Sequence, residues 1–289
     1  MAKLHIFLAI YILSYINEKP TKSSQLSGLP NKLFHYCNKQ GFEGIVKSNS
    51  LWLSTLRKTN DELEIIYFYQ LLKHYISTQR YSFQEQLLIN QLNMMYASNL
   101  QNTFSTSFTT LRDISWQWDE YGDKNKGFAI GFSTKKLTSE YKLPERSFFI
   151  KSPSLLKVSY NEKSHKKVLK TMIQKCLTKK SDIIDLALYL AKISCLCKTA
   201  KWDREQEWRL LHFPLINPEI ELSMYEQHPT LTRIDDNKYS YKIPSGVITD
   251  IIIGSQNKVS VEELQHFVRL FYQNEDTSKI NIYYSRKRL

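Results

Sequence analysis

Apolar and polar positions along the chain follow two periods, and the stretches of each period alternate. Short β-rich runs at residues 33–37, 51–55, 104–109 and 128–132 predict strands. A further strand is expected over 156–160, where Leu156, Val158 and Tyr160 would share a half-buried face. Later runs at 205–213, 239–243, 248–253 and 280–284 extend the strand set. Helical spacing marks 42–48, 61–76, 83–100, 165–178 and 182–199, with a shorter helical turn at 116–121. Within 83–100 the apolar positions are Phe83, Leu87, Leu88, Leu92, Met95 and Tyr96. Ser181 can cap the helix at 182. Ser260-Val261-Glu262-Glu263 has the form of a capping box, because the serine hydroxyl and the Glu263 carboxylate can each satisfy a free backbone amide.

Strands interleaved with helices, without internal repeats, predict the α+β class. Residues 1–30 read as an N-terminal helix and linker, the helix over 4–16 and the linker over 20–30. Residues 31–289 read as one α+β domain with a helical insertion at about 61–100. The apolar run 4–16 resembles the core of a signal peptide, but Asn17-Glu18-Lys19-Pro20 follows it in place of a small-residue cleavage site. It is also short for a membrane span, so no stable membrane insertion and a cytoplasmic location are expected.

Composition adds to this picture mainly through charge. Of 289 residues 42% are hydrophobic and 24% charged, which suits a chain with a sizeable core. Lys and Arg number 40 against 28 Asp and Glu, a formal charge of +12 that would concentrate polyanions near the surface. Cys37, Cys176, Cys195 and Cys197 show no metal-ligand spacing, and they read as buried thiols, the last two within the helix over 182–199. The eight glycines form neither a phosphate-binding loop nor a dinucleotide motif.

The segment Glu205-Gln206-Glu207-Trp208-Arg209-Leu210 has the most chemical content. In a strand, period two would put Glu205, Glu207 and Arg209 on one face and Trp208 and Leu210 on the other. Two carboxylates and a guanidinium could hold hydroxyl groups or stabilise a developing cation; the same pattern also describes a polar outer face. His35 lies on the first strand between apolar neighbours, where a hydrogen-bonded core histidine is the commoner role. Ser105-Thr106-Ser107 lies between two phenylalanines, and Trp116, Trp118 and Tyr121 form an aromatic group before the strand at 128–132. Such a group is either core or a stacking surface for a flat ring.

His35-Tyr36, Trp52-Leu53-Ser54, Asn60-Asp61 with Glu64, Ser105 to Phe108, Trp118 with Tyr121-Gly122, Gly127 to Phe132, and Lys201-Trp202 leading to Glu205-x-Glu207-Trp208-Arg209 together resemble the bacterial domain of unknown function 2971. The likeness runs from about Leu33 to near Tyr284. That family is in turn similar to ADP-ribosyltransferases, which implies a split mixed β-sheet core of that type, with inserted and flanking helices. The resemblance implies NAD as co-substrate, with His35, Tyr36, Ser54, Ser105, Ser107 and Tyr121 as its binding residues. His35 would bond a ribose hydroxyl and Tyr121 would stack on nicotinamide. It further implies Glu207 as the carboxylate beside an oxocarbenium-like state and Glu205 as base or acceptor-orienting group. The Ser-Thr-Ser strand and the Glu-x-Glu pair are also similar to toxin-type transferases, whose first-strand arginine is replaced here by His35.

The function this implies is an NAD-dependent ADP-ribosyltransferase, a toxin or phage-defence effector, with a nucleic acid or acidic protein as acceptor and a neutralising antitoxin as a further partner. The alternative class is a non-catalytic module that binds nucleic acid or protein through its basic, aromatic-rich surface. A nuclease is disfavoured, because no carboxylates and histidines show metal-site spacing, and no metal is expected.

Overall fold

The computed structural model describes residues 29–56, 66–100, 103–139, 154–178, 183–214, 231–272 and 276–286. The expected N-terminal helix, residues 20–28 of the expected linker and the Ser181 cap lie outside these residues.

Among the described residues the order is β1 (Lys32–Cys37), α1 (Lys39–Ser48), β2 (Ser50–Thr55), α2 (Ile66–Ser77), α3 (Phe83–Leu100) and β3 (Phe104–Thr109). Then come α4 (Ser115–Glu120), β4 (Phe128–Ser133), α5 (Thr134–Ser139), β5 (Ser154–Lys157), α6 (Glu162–Thr178) and α7 (Ile183–Ser194). A 3-10 helix (Ala200–Glu205) leads into β6 (Glu207–His212), and β7 (Leu231–Asp235), β8 (Lys238–Lys242), β9 (Ile248–Ile253), α8 (Val261–Phe271) and β10 (Asn281–Tyr284) complete the set. The protein is thus of the α+β class, and the capping box at Ser260 and Glu263 is present.

The ten strands form one mixed sheet in the order β10-β9-β4-β1-β3-β2-β8-β7, with β6 pairing β3 and β5 pairing β6. Only β9 and β10 run parallel; the other paired strands are antiparallel. β3 pairs with β6 along its whole length, from Phe104↔His212 to Thr109↔Glu207. β1 meets β3 only at Phe34↔Thr109, and β2 meets it only at Ser54↔Ser105 and Thr55↔Phe104. Because β6 takes one edge of β3, β1 and β2 share the other, touching its opposite ends, and the sheet opens between them.

Each face of the sheet is covered differently. On one face Phe104, Phe108, Trp208 and Leu210 pack with Phe42 and Val46 of α1 and Leu264 and Val268 of α8. On the other, α2, α3, α6 and α7 form a helical layer over Leu211 and Leu56. Further along that face Trp118 of α4 covers Phe34, Tyr36, Ala129 and Ile252. A stretch of sheet between the helical layer and α4 is left open. Gly127, which leads into β4, permits a close backbone approach there, since a Cβ would come 2.2 Å from the Cys37 carbonyl oxygen.

Several sequence expectations shift by a few residues for identifiable reasons. The strand expected over 156–160 is β5, Ser154–Lys157. Its partner β6 opens at Glu207, so the last pair is Lys157↔Trp208, and Val158 and Ser159 instead bond the carbonyls of Glu207 and Leu196 outside the ladder. The helix expected to reach Thr199 stops at Ser194, whose hydroxyl bonds the Leu190 carbonyl. Cys195 and Cys197 therefore lie past the helix, although all four cysteines are buried free thiols. In α3 the buried face is Ile89, Leu92, Tyr96 and Leu100, whereas Phe83 and Leu87 are exposed.

Candidate functional site

The opening between β1 and β2 is the floor of a cleft of about 700 Å³. His35 and Tyr36 of β1, Ser54 of β2, Ser105 and Ser107 of β3, Tyr121, Glu205 and Glu207 all line it. Segments separated by as many as 172 positions, from His35 to Glu207, thus meet in one place. Lys198, Trp202, Glu120, Asp235, Asn237 and Lys238 line it as well.

His35 stands at the opening, its Nδ1 2.9 Å from the Ser107 carbonyl oxygen. A carbonyl only accepts, so Nδ1 holds the hydrogen and Nε2 of the neutral ring is an acceptor. Burial lowers the His35 pKa, opposed by the Ser107 bond, and keeps the ring neutral at neutral pH. Tyr36 donates its hydroxyl to the Leu111 carbonyl, accepts from the Ile114 amide and packs edge-on against Trp118. Burial, the largest influence, pushes its pKa up to about 12, so it is a fixed hydroxyl and not a base.

The two glutamates reach the cleft by a different route from the one expected. Glu205 is not in the strand; it ends the 3-10 helix, and Gln206 follows with φ 44°. A continuous strand would have put both carboxylates in one row, whereas this left-handed turn brings Glu205 in from beside the strand. Both nevertheless converge on Lys198, whose ammonium lies 2.7 Å from Glu205 Oε2 and 3.0 Å from Glu207 Oε2. Glu205 Oε1 accepts from the Tyr121 hydroxyl at 2.8 Å. Glu207 is gripped by Arg209, Nε to Oε1 at 2.7 Å and Nη2 to Oε2 at 2.9 Å, and Arg209 Nη1 donates to the Cys195 carbonyl. Period two does hold for this pair, which shares the face of Ser107 and Thr109.

These partners drive the two carboxylates apart in acidity. Burial acts upward on Glu207, but the charges of Arg209 and Lys198, with hydrogen bonds from Arg209 and Ser107, outweigh it and hold the pKa down at about 2. Glu205 is raised, first by burial and then by repulsion from Glu207, against the pull of Lys198 and Tyr121. Glu207 is therefore ionised at neutral pH, and Glu205 is the member of the pair that exchanges protons more readily.

Lys198 and the rim residues Trp202 and Lys238 were not singled out by the sequence as site residues. Lys198 follows the apolar run 193–197, and the one local signal is a lysine placed where the chain is otherwise buried. Among the described residues no group of histidine, cysteine and carboxylate side chains has the geometry to hold a metal ion. No helix among them is long and apolar enough to cross a membrane.

Residues 117–210 match the sequence model of a family described as "Protein of unknown function (DUF2971)". That segment contains Tyr121, Lys198, both glutamates and Arg209; it is shorter than the 33–284 span of the resemblance and omits His35 on β1. No curated protein and no solved structure matches the chain.

Proposed function

We propose that the protein is an NAD-dependent ADP-ribosyltransferase working in this cleft. The observation that carries the reading is Glu207, a buried carboxylate kept ionised by Arg209 and Lys198 in the opening of the sheet, with the acceptor nitrogen of His35 in the same cleft. A cleft of about 700 Å³ lies in the size range that accommodates cofactor-sized molecules. Ser54, Ser105 and Ser107 add hydroxyls to its lining, and Tyr121 an aromatic face.

In this reading His35 Nε2 accepts a hydrogen bond from a ribose hydroxyl. The bond between ribose C1′ and the nicotinamide nitrogen breaks, and its electron pair leaves with nicotinamide. The ribose becomes oxocarbenium-like, and the fixed charge of Glu207 stabilises it without reorganisation. An acceptor oxygen or nitrogen attacks C1′ and its proton passes to Glu205, whose raised pKa makes it the better base of the two.

The test is incubation of the purified protein with NAD labelled in the adenylate part and with a mixed protein and nucleic-acid extract. Release of nicotinamide with label on a macromolecule is the expected result. Glu207→Gln should lower the rate about 10²- to 10³-fold, as for other preorganised charges. Intact NAD, together with no binding of NAD by calorimetry, would falsify the reading.

A further inference from the structure

The rim of the cleft has a composition that its floor does not share. Three of the five tryptophans stand around it, each with a cation over its ring. Lys238 Nζ lies 4.5 Å from the Trp52 centroid, the Arg204 guanidinium 4.5 Å from that of Trp116, and Lys201 Nζ 4.9 Å from that of Trp202. The other two, Trp118 and Trp208, are buried in the core. Lys238 and Trp202 line the cleft directly. Trp52 precedes Ser54 by two on β2 and so shares its face, and Trp116 packs edge-on against Tyr121.

Trp52 is the most informative of these residues. It is 50% exposed at the middle of a strand that is paired on both sides, between β8 and β3. A tryptophan held on the open face of a sheet, with a lysine fixed beside it, presents a flat surface to a base and a charge to the adjoining phosphate. The same unit recurs with Trp116 and Arg204, beside Tyr121 of the cleft lining. On the floor, by contrast, Glu205 and Glu207 are matched by Lys198 and Arg209, so it does not repel an anion as two free carboxylates would. Glu120 and Asp235 also line the cleft, so the cations that meet the phosphates of a strand are those of the rim.

We infer that the cleft mouth docks single-stranded nucleic acid, with a base stacked on Trp52 and the backbone held by Lys238 beside it and by Arg204 near Tyr121. An acidic protein would use the cations but leave the tryptophan faces without a partner, and a duplex keeps its bases stacked on one another, out of reach of the indole. The formal charge of +12 adds a general attraction for the polyanion. That the bound strand is the acceptor of ADP-ribose rests on the function proposed above; its binding does not.

The experiment is fluorescence anisotropy of labelled oligo-dT and oligo-U of about ten nucleotides, titrated with the full chain at several salt concentrations. Trp52→Ala should weaken binding about tenfold while Trp52→Phe keeps most of it, since either ring can stack. Lys238→Ala should weaken binding and reduce the salt slope by about 0.7, the share of one phosphate contact on a single strand. Both positions are at the surface, and thermal melts of each variant confirm that the fold is retained. Equal binding of strand, duplex and heparin that survives Trp52→Ala overturns the inference in favour of an unspecific basic surface. Displacement of the strand by an equal charge of poly-glutamate overturns it in favour of an acidic protein. Nicotinamide release from NAD, measured on the parent without nucleic acid, reports separately on the catalytic reading.

Discussion

The two faces of β6 bury the same short strand in opposite ways. Trp208 and Leu210 enter an apolar layer under α1 and α8, whereas Glu207 and Arg209, one residue out of phase, carry charge into a site nearly as dry. All six residues of β6 are buried. Burial alone therefore does not distinguish the core of this strand from its cleft. An apolar pair of similar volume in place of Glu207 and Arg209 is often neutral in stability or adds some, because desolvation of two ions offsets their attraction. Stability alone therefore does not account for the charged pair.

The comparison breaks most sharply at Arg209. Arg209→Ala leaves Glu207 buried with Lys198 as its main counter-charge, and urea unfolding should show a loss of about 4 kcal/mol. On the opposite face Leu210→Ala removes apolar volume without stranding a charge, and the same measurement should show about 3 kcal/mol. The paired change Glu207→Leu with Arg209→Met sharpens the contrast: stability should return to within about 1.5 kcal/mol of the parent while any transferase activity is lost. A pair as unstable as Arg209→Ala alone would show that the ion pair is structural.

Acid separates the two glutamates by sign. The Glu207 pKa is held near 2, below its ordinary 4.5, so its ion pairs contribute stability that is complete above about 4.5 and fades as the pH falls towards 2. Glu205 is shifted upward, so its contribution is complete below the ordinary value and is lost as the pH rises through its folded pKa. In melts across pH 2 to 8, Glu207→Gln should flatten the acid limb. Glu205→Gln should have the smallest effect of the series, under about 1 kcal/mol at neutral pH, because burial and repulsion from Glu207 offset the attraction of Lys198 for its charge. A larger loss would mean that the bond from Lys198 outweighs the desolvation of Glu205.

Local pattern revealed most strands and both faces of Glu207-Trp208-Arg209-Leu210, because period two is a property of the strand itself. It did not reveal β7, where only Leu231 is buried and the other four residues are exposed, so an edge strand lacks the alternation that would announce it. The end of α7 was hidden for the opposite reason: the apolar run continues through Cys195, Leu196 and Cys197 after the helix has stopped, because tertiary packing buries those residues. Lys198 was hidden with it. Its role depends on Ser159, which receives a backbone bond from the Lys198 amide and turns the chain into the cleft, a contact between segments almost forty positions apart. The eight residues singled out for the cleft were legible as chemical types, but the left-handed turn at Gln206 that delivers Glu205 was not.

The strand order also sets a timetable for synthesis. β1 finds its long partner only when β4 emerges, nearly a hundred residues later, and β4 waits for β9, more than a hundred residues beyond that. β3 gains its full-length partner β6 after a similar wait. A nascent chain that has made the serines of β3 and the histidine of β1 therefore holds them on strands with unpaired edges until the second half arrives. Contacts this distant in sequence are slow to form and leave edges exposed to other chains meanwhile. The cleft assembles late, because Glu205 and Glu207 reach it only once β6 has been made and Asn237 and Lys238 only once β8 has followed.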